Sequence, residues 1–63
     1  MEEELKEALT RALALVRKGE NMSQAAGCIA AQEAEERCLS IVQFNKLFND
    51  LQDALAALLG KEV

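Results

Sequence analysis

The chain has 63 residues, a net charge of −4 at neutral pH, and no histidine, tyrosine or tryptophan. At this length the gain from burying apolar surface nearly cancels the entropy of ordering the chain, about 1.5 kcal/mol per residue, so we expect one domain over residues 1–63 that needs an additional source of stability. Without histidine or tyrosine, acid–base and nucleophilic catalysis are hard to build, so we expect neither an enzyme nor a bound cofactor.

Two cysteines, Cys28 and Cys38, are the only thiols. On one helix their ten-residue spacing separates them by roughly 15 Å, beyond the ~7 Å limit for a disulfide. Without histidine, a zinc site would need ligands from several chains or many carboxylates, and no metal is expected. Cysteines that cannot pair predict a reducing, cytoplasmic setting in which both act as small packing residues; an intermolecular disulfide is the alternative.

The charges of the first segment balance one another, and the excess acid lies in the middle of the chain. There Glu33, Glu35 and Glu36 predict an acidic surface. Such a surface disfavours contact with nucleic acid or with an anionic membrane. No apolar run approaches the ~18 residues of a membrane span, and we expect a soluble protein without a membrane partner.

The composition favours helix throughout, because proline is absent and strong helix formers dominate. The first predicted helix covers about residues 2–18, with glutamates in its first turn and Arg17 and Lys18 in its last, as the helix dipole prefers. Gly19 is a suitable residue to end it. One broad apolar arc consists of Leu5, Ala8, Leu9, Ala12, Leu13, Leu15 and Val16.

The second predicted helix covers about residues 22–38 and carries two faces that need burial. Asn21 and Ser23 are both competent N-caps, and Gln24 follows Asn21 at the spacing of a capping box. The first face contains Met22, Ala25 and Ile29; the second is a small-residue seam of Gly27, Ala31, Ala34 and Cys38. A three-helix domain has one interior, so the extra face predicts a second copy of the chain.

Gly27 inside this helix costs about 1 kcal/mol relative to alanine. Close approach of another backbone across the seam would offset that cost, whereas a frayed or kinked first turn would explain the glycine without any partner. The seam also fits plain close packing within one chain. The sequence does not assign either face to the core of the monomer.

The third predicted helix covers about residues 41–59, and its start has the strongest local signal. Ser40 and Gln43 match a capping box, and Leu39 and Phe44 match a hydrophobic staple. Gly60 predicts a Schellman-type stop, after which Glu62 and Val63 should fray. The apolar stripe, from which Val42 alone departs, contains Ile41, Phe44, Leu47, Phe48, Leu51, Ala54, Leu55, Leu58 and Leu59.

The predicted fold class is therefore all-α, as a short three-helix bundle made of a helical hairpin and a long C-terminal helix. The short connections favour antiparallel neighbours and an up-down-up order. A continuous second and third helix, folded against the first as a two-helix hairpin, is the alternative. Ser40 argues against it, because a strong N-cap marks a new helix.

Three functional hypotheses follow from these features. The first is a non-enzymatic protein-interaction or regulatory module that self-associates, most simply as a homodimer, through the second helix. The second is an acidic inhibitor, of the kind found in phages and plasmids, which presents its glutamates to a basic surface of a host protein. The third is a dimeric DNA-binding regulator, which would need a basic patch assembled from Lys6, Arg11, Arg17 and Lys18 of two first helices.

Overall fold

The computed structural model describes residues 2–61 and contains three α-helices: α1 (Glu2–Arg17), α2 (Met22–Arg37) and α3 (Ile41–Lys61). No strand occurs within this part of the chain. All three helices pack against one another, which confirms the predicted all-α three-helix bundle. The fraying expected of Glu62 and Val63 concerns residues outside the described range.

The connection from α1 to α2 is a Schellman motif centred on Gly19. Gly19 has a φ of +112°, its N–H donates to the carbonyl of Val16 at 3.0 Å, and the N–H of Glu20 donates to the carbonyl of Leu15 at 3.1 Å. These two bonds satisfy carbonyls that the end of the helix would otherwise leave unpaired. The glycine therefore ends α1 as the sequence predicts.

Side-chain caps begin the other two helices. The Oδ1 atom of Asn21 accepts a 2.8 Å hydrogen bond from the N–H of Gln24, so Asn21 rather than Ser23 is the N-cap of α2. At α3 the capping box is reciprocal: the N–H of Ser40 donates to Gln43 Oε1 at 2.8 Å, and the N–H of Gln43 donates to Ser40 Oγ at 3.2 Å. A continuous second and third helix is therefore wrong.

The predicted ends of all three helices differ from the structure by one or two residues, and α1 ends at Arg17 rather than Lys18. The second helix stops at Arg37, because Cys38 takes the left-handed conformation with φ 55° and ψ 47°. The third helix does not stop before Gly60 but runs through it to Lys61. A glycine ends a helix only where it adopts positive φ, and among the described glycines Gly19 alone does so.

The helices alternate in direction, as cross-helix contacts show. Glu4 pairs with Arg37 and Arg11 with Gln32, so α1 and α2 run antiparallel. Gln52 donates to Ser23, which fixes the same relation between α2 and α3. The buried core is built largely from alanine and contains Ala8, Ala12, Ala25, Ala26, Ile29, Ala30, Leu51 and Leu55.

The predicted apolar stripe of α3 packs in its middle but not at its start. Leu51 and Leu55 are fully buried, and Phe44 and Phe48 pack against the core. Ile41 is 78 % exposed, so its place in the buried stripe was predicted wrongly. Ile41 is the first residue of α3, directly after the turn from α2, and lies beyond the packed part of the stripe.

Candidate functional site

The first predicted face of α2 is the face that enters the core of the monomer. Ala25 and Ile29 are buried there, while Met22, in the first turn, is 39 % exposed. Ala26 and Ala30 widen this face. The apolar face therefore has its partners within one chain.

The small-residue seam follows one side of α2 and is only partly covered within the chain. Gly27 and Ala34 are half-buried, whereas Ala31 and Cys38 are exposed. A Cβ added to Gly27 would lie 3.9 Å from the Phe48 ring of α3, at ordinary van der Waals distance and with no backbone close by. Among the described residues no backbone approaches Gly27, and close approach by the backbone of a second copy stays a prediction. The two faces of α2 are covered in part by α1 and α3 of the same chain.

The predicted acidic surface loses one of its three members. Glu33 is buried, with only 6 % of its side chain exposed, whereas Glu35 and Glu36 are exposed. Glu33 lies one helical turn after Ile29, on the same inward face, which is why it does not reach solvent. That spacing was readable in the sequence and is the signal that could have placed Glu33 in the interior.

Glu33 is held by two arginines from different helices. Its Oε1 atom is 2.7 Å from Arg37 Nη2 and 3.9 Å from Arg11 Nη1. Arg37 also donates to Glu4 Oε2 of α1 at 2.8 Å. Arg11 hydrogen-bonds Gln32 and lies 3.9 Å from Glu36. This chain of charges joins α1 to α2, and it engages one of the four cations that a DNA-binding patch would require.

A cavity of about 260 Å³ opens between α1, the end of α2 and the first half of α3. Its apolar walls come from Leu5, Leu39 and Leu47. Four charged side chains and one amide complete the lining: Glu4, Arg37, Gln43, Lys46 and Asp50. The charged residues are already paired with one another or with neighbours, Lys46 Nζ lying 3.1 Å from Asp50 Oδ2.

Two large apolar side chains stand exposed in the first turn of α3. Ile41 is 78 % and Val42 77 % exposed. Val42 precedes Lys46 by four residues, so the two lie on the same side of the helix, one turn apart. Sequence reasoning found Val42 outside the apolar stripe but did not connect it with a site. We refer to Val42 and the cavity together as the α3 patch.

The two cysteines, Cys28 and Cys38, are both free and exposed rather than packed inside. Their predicted role as small packing residues is therefore wrong. Within residues 2–61, no three side chains of His, Cys, Asp or Glu are grouped so that they could hold a metal ion. Over the same range no helix combines the length and the apolar character needed to cross a membrane.

The comparisons with known proteins found no relative of this chain. No family model matched it, and neither the curated proteins nor the solved structures gave a match.

Proposed function

We propose that this protein is a non-enzymatic protein-interaction module that acts as a small helical homo-oligomer, most simply a dimer. The observation that carries the proposal is the exposure of Ile41 and Val42, 78 % and 77 %, in the first turn of α3. Two adjacent apolar side chains are costly to leave in water unless a partner covers them.

The position of these residues strengthens this argument. The first turn of a helix is stabilised by acidic side chains, which interact favourably with the positive end of the helix dipole. The first turn of α3 contains no acidic residue, and its β-branched residues are weaker helix formers than glutamate. A departure from local preference of this kind is expected at functional surfaces.

The small core supports self-association in a second way. Five of the eight core residues are alanines, and Leu51 and Leu55 are the largest side chains that are fully buried. Such a core removes little apolar area from water for each ordered residue, which is why chains of this length usually rely on a metal, a disulfide or an oligomer. Association through the α3 patch would supply the additional burial.

The proposal is tested by measuring the absolute mass in solution by light scattering after size exclusion, over a wide range of concentrations and with and without reductant. We expect twice the 6.9 kDa of one chain, with no effect of reductant because the contact is apolar rather than a disulfide. A mass that stays at one chain throughout would contradict the proposal. A dimer that reductant dissociates would replace the apolar contact with the intermolecular disulfide.

A further inference from the structure

The cavity of the α3 patch suits a side chain better than a small-molecule ligand. Its volume of about 260 Å³ falls below the roughly 300–1,000 Å³ of pockets that enclose drug-sized ligands. Its arginine is bound to Glu4 and its lysine to Asp50, so the rim presents no unpaired cation to an anionic ligand. What the cavity offers is apolar surface from Leu5, Leu39 and Leu47.

Of the two most exposed apolar side chains, Val42 lies beside this cavity, whereas Ile41 is on the opposite side of α3. Leu39 and Gln43, which line it, flank Ile41 and Val42 in the sequence. Val42 is also one helical turn from Lys46 on the rim. A protrusion and a recess therefore lie next to each other on one flank of the bundle, which is what a two-fold contact between identical surfaces requires.

Resting on the proposed self-association, we propose that the α3 patch is the homodimer interface, with Val42 of each copy inserted into the cavity of the other. The interface then lies on α3 and α1, whereas the sequence pattern pointed to the small-residue seam of α2.

The charges of the patch favour a second copy as the occupant. The chain carries a net charge of −4, so most surfaces of two copies repel each other. The cavity lining contains two acids, Glu4 and Asp50, and two bases, Arg37 and Lys46, so its charges cancel. A two-fold axis near this rim can bring Lys46 of one copy towards Asp50 of the other, and the reverse, so that the surface complements itself.

The decisive experiment compares Val42→Glu with Ala31→Glu by light scattering and sedimentation. Both changes add the same charged side chain at an exposed position, but only the first lies in the α3 patch. We expect Val42→Glu to raise the dimer dissociation constant by at least about tenfold and Ala31→Glu to leave it nearly unchanged. Circular dichroism should show full helicity, because glutamate is favourable in the first turn of a helix.

A charge exchange on the rim tests the two-fold character of the contact. Lys46→Glu should weaken the dimer, because it leaves three acids and one base in each cavity lining. Adding Asp50→Lys should restore it, since a surface that pairs with itself stays complementary when both signs are exchanged. The single variant puts two acids four residues apart on an exposed helix face, which costs the fold little, and the double variant restores a pair of opposite charges, so both should stay folded.

The possible outcomes distinguish failure of the proposed interface from failure of the proposed self-association. If the natural chain is a monomer at every concentration, both proposals fail. If it is a dimer that Ala31→Glu dissociates and Val42→Glu does not, self-association stands and the interface lies on the α2 seam. If the double exchange at positions 46 and 50 fails to recover the dimer that Lys46→Glu weakened, the two-fold contact through this rim is wrong.

Discussion

The two interfaces made by α2 share an alanine-rich apolar core and differ in the contacts beside it. Towards α1, a chain of charges runs from Arg11 through Glu33 and Arg37 to Glu4. Towards α3, the contact is mainly apolar, with Gly27 facing the Phe48 ring and one hydrogen bond between Ser23 and Gln52. A middle helix can therefore satisfy two neighbours with chemically distinct flanks, which explains why its sequence lacks one clear apolar stripe.

The largest effect on the free energy of unfolding is expected at the most buried leucines of the contact between α2 and α3. Replacing Leu51, which is fully buried, with alanine should lower the free energy of unfolding by about 2–5 kcal/mol through lost burial and an unfilled cavity. That is a large part of the stability of so small a domain. Thermal and urea unfolding followed by circular dichroism would measure it.

Leu58 provides the matched control for this change, because it lies on the same helix and is 36 % exposed. Leu58→Ala should cost much less than Leu51→Ala. Equal losses of unfolding free energy would mean that buried Leu51 contributes no more to stability than partly exposed Leu58.

An intermediate effect is expected at the charged interface. Arg37→Met removes the closest partner of buried Glu33 and leaves Arg11 at 3.9 Å, which should cost about 1–3 kcal/mol of unfolding free energy. The double variant Arg37→Met with Glu33→Met should recover much of this loss, since no buried charge then lacks a close partner. A double-mutant cycle from urea unfolding gives both values.

The exposed pair of Lys46 and Asp50 is the control for the charged interface. Its side chains are 70 % and 42 % exposed, so Asp50→Asn should change stability by less than about 0.5 kcal/mol. If Arg37→Met lowers the free energy of unfolding by no more than Asp50→Asn does, the charges between α1 and α2 contribute little to stability.

Among the three interface changes, the smallest effect and the only gain in stability are expected at Gly27. Its added Cβ would meet Phe48 at 3.9 Å without a clash, so Gly27→Ala should raise the free energy of unfolding by about 0.5–1 kcal/mol through helix propensity. Gly19→Ala is the control and should destabilise, because Gly19 has a φ of +112°. If Gly27→Ala lowered the free energy of unfolding, α2 and α3 would pack more tightly here than the 3.9 Å between the added Cβ and Phe48 implies.

The three helices and their starting caps could be predicted from sequence because these features depend on a few neighbouring residues. Ser40 and Gln43 form their capping box through local bonds alone, and Gly19 forms a local turn. Gly60 fits a local rule equally well, yet the helix continues through it. A glycine allows a helix to end but does not force it to end.

The candidate site was less predictable, because its parts come from distant positions. The cavity joins Leu5 of α1 to Leu39 and Leu47, and no spacing in the sequence brings them together. The inward position of Glu33 follows from its spacing to Ile29, but its contact with Arg11, 22 residues away, does not. Small side chains on both flanks of α2 pointed to a second copy, and α1 and α3 of the same chain cover part of these flanks.

The short connections have a consequence for how the chain reaches this structure. Only residues 18–21 and 38–40 separate the helices, so two of the three helix pairs form between segments adjacent in the chain. Bundles with such local contacts fold within about microseconds to milliseconds. Apolar groups such as the Phe48 ring are therefore exposed only briefly in the newly made chain, which leaves little time for aggregation before the native surface is complete.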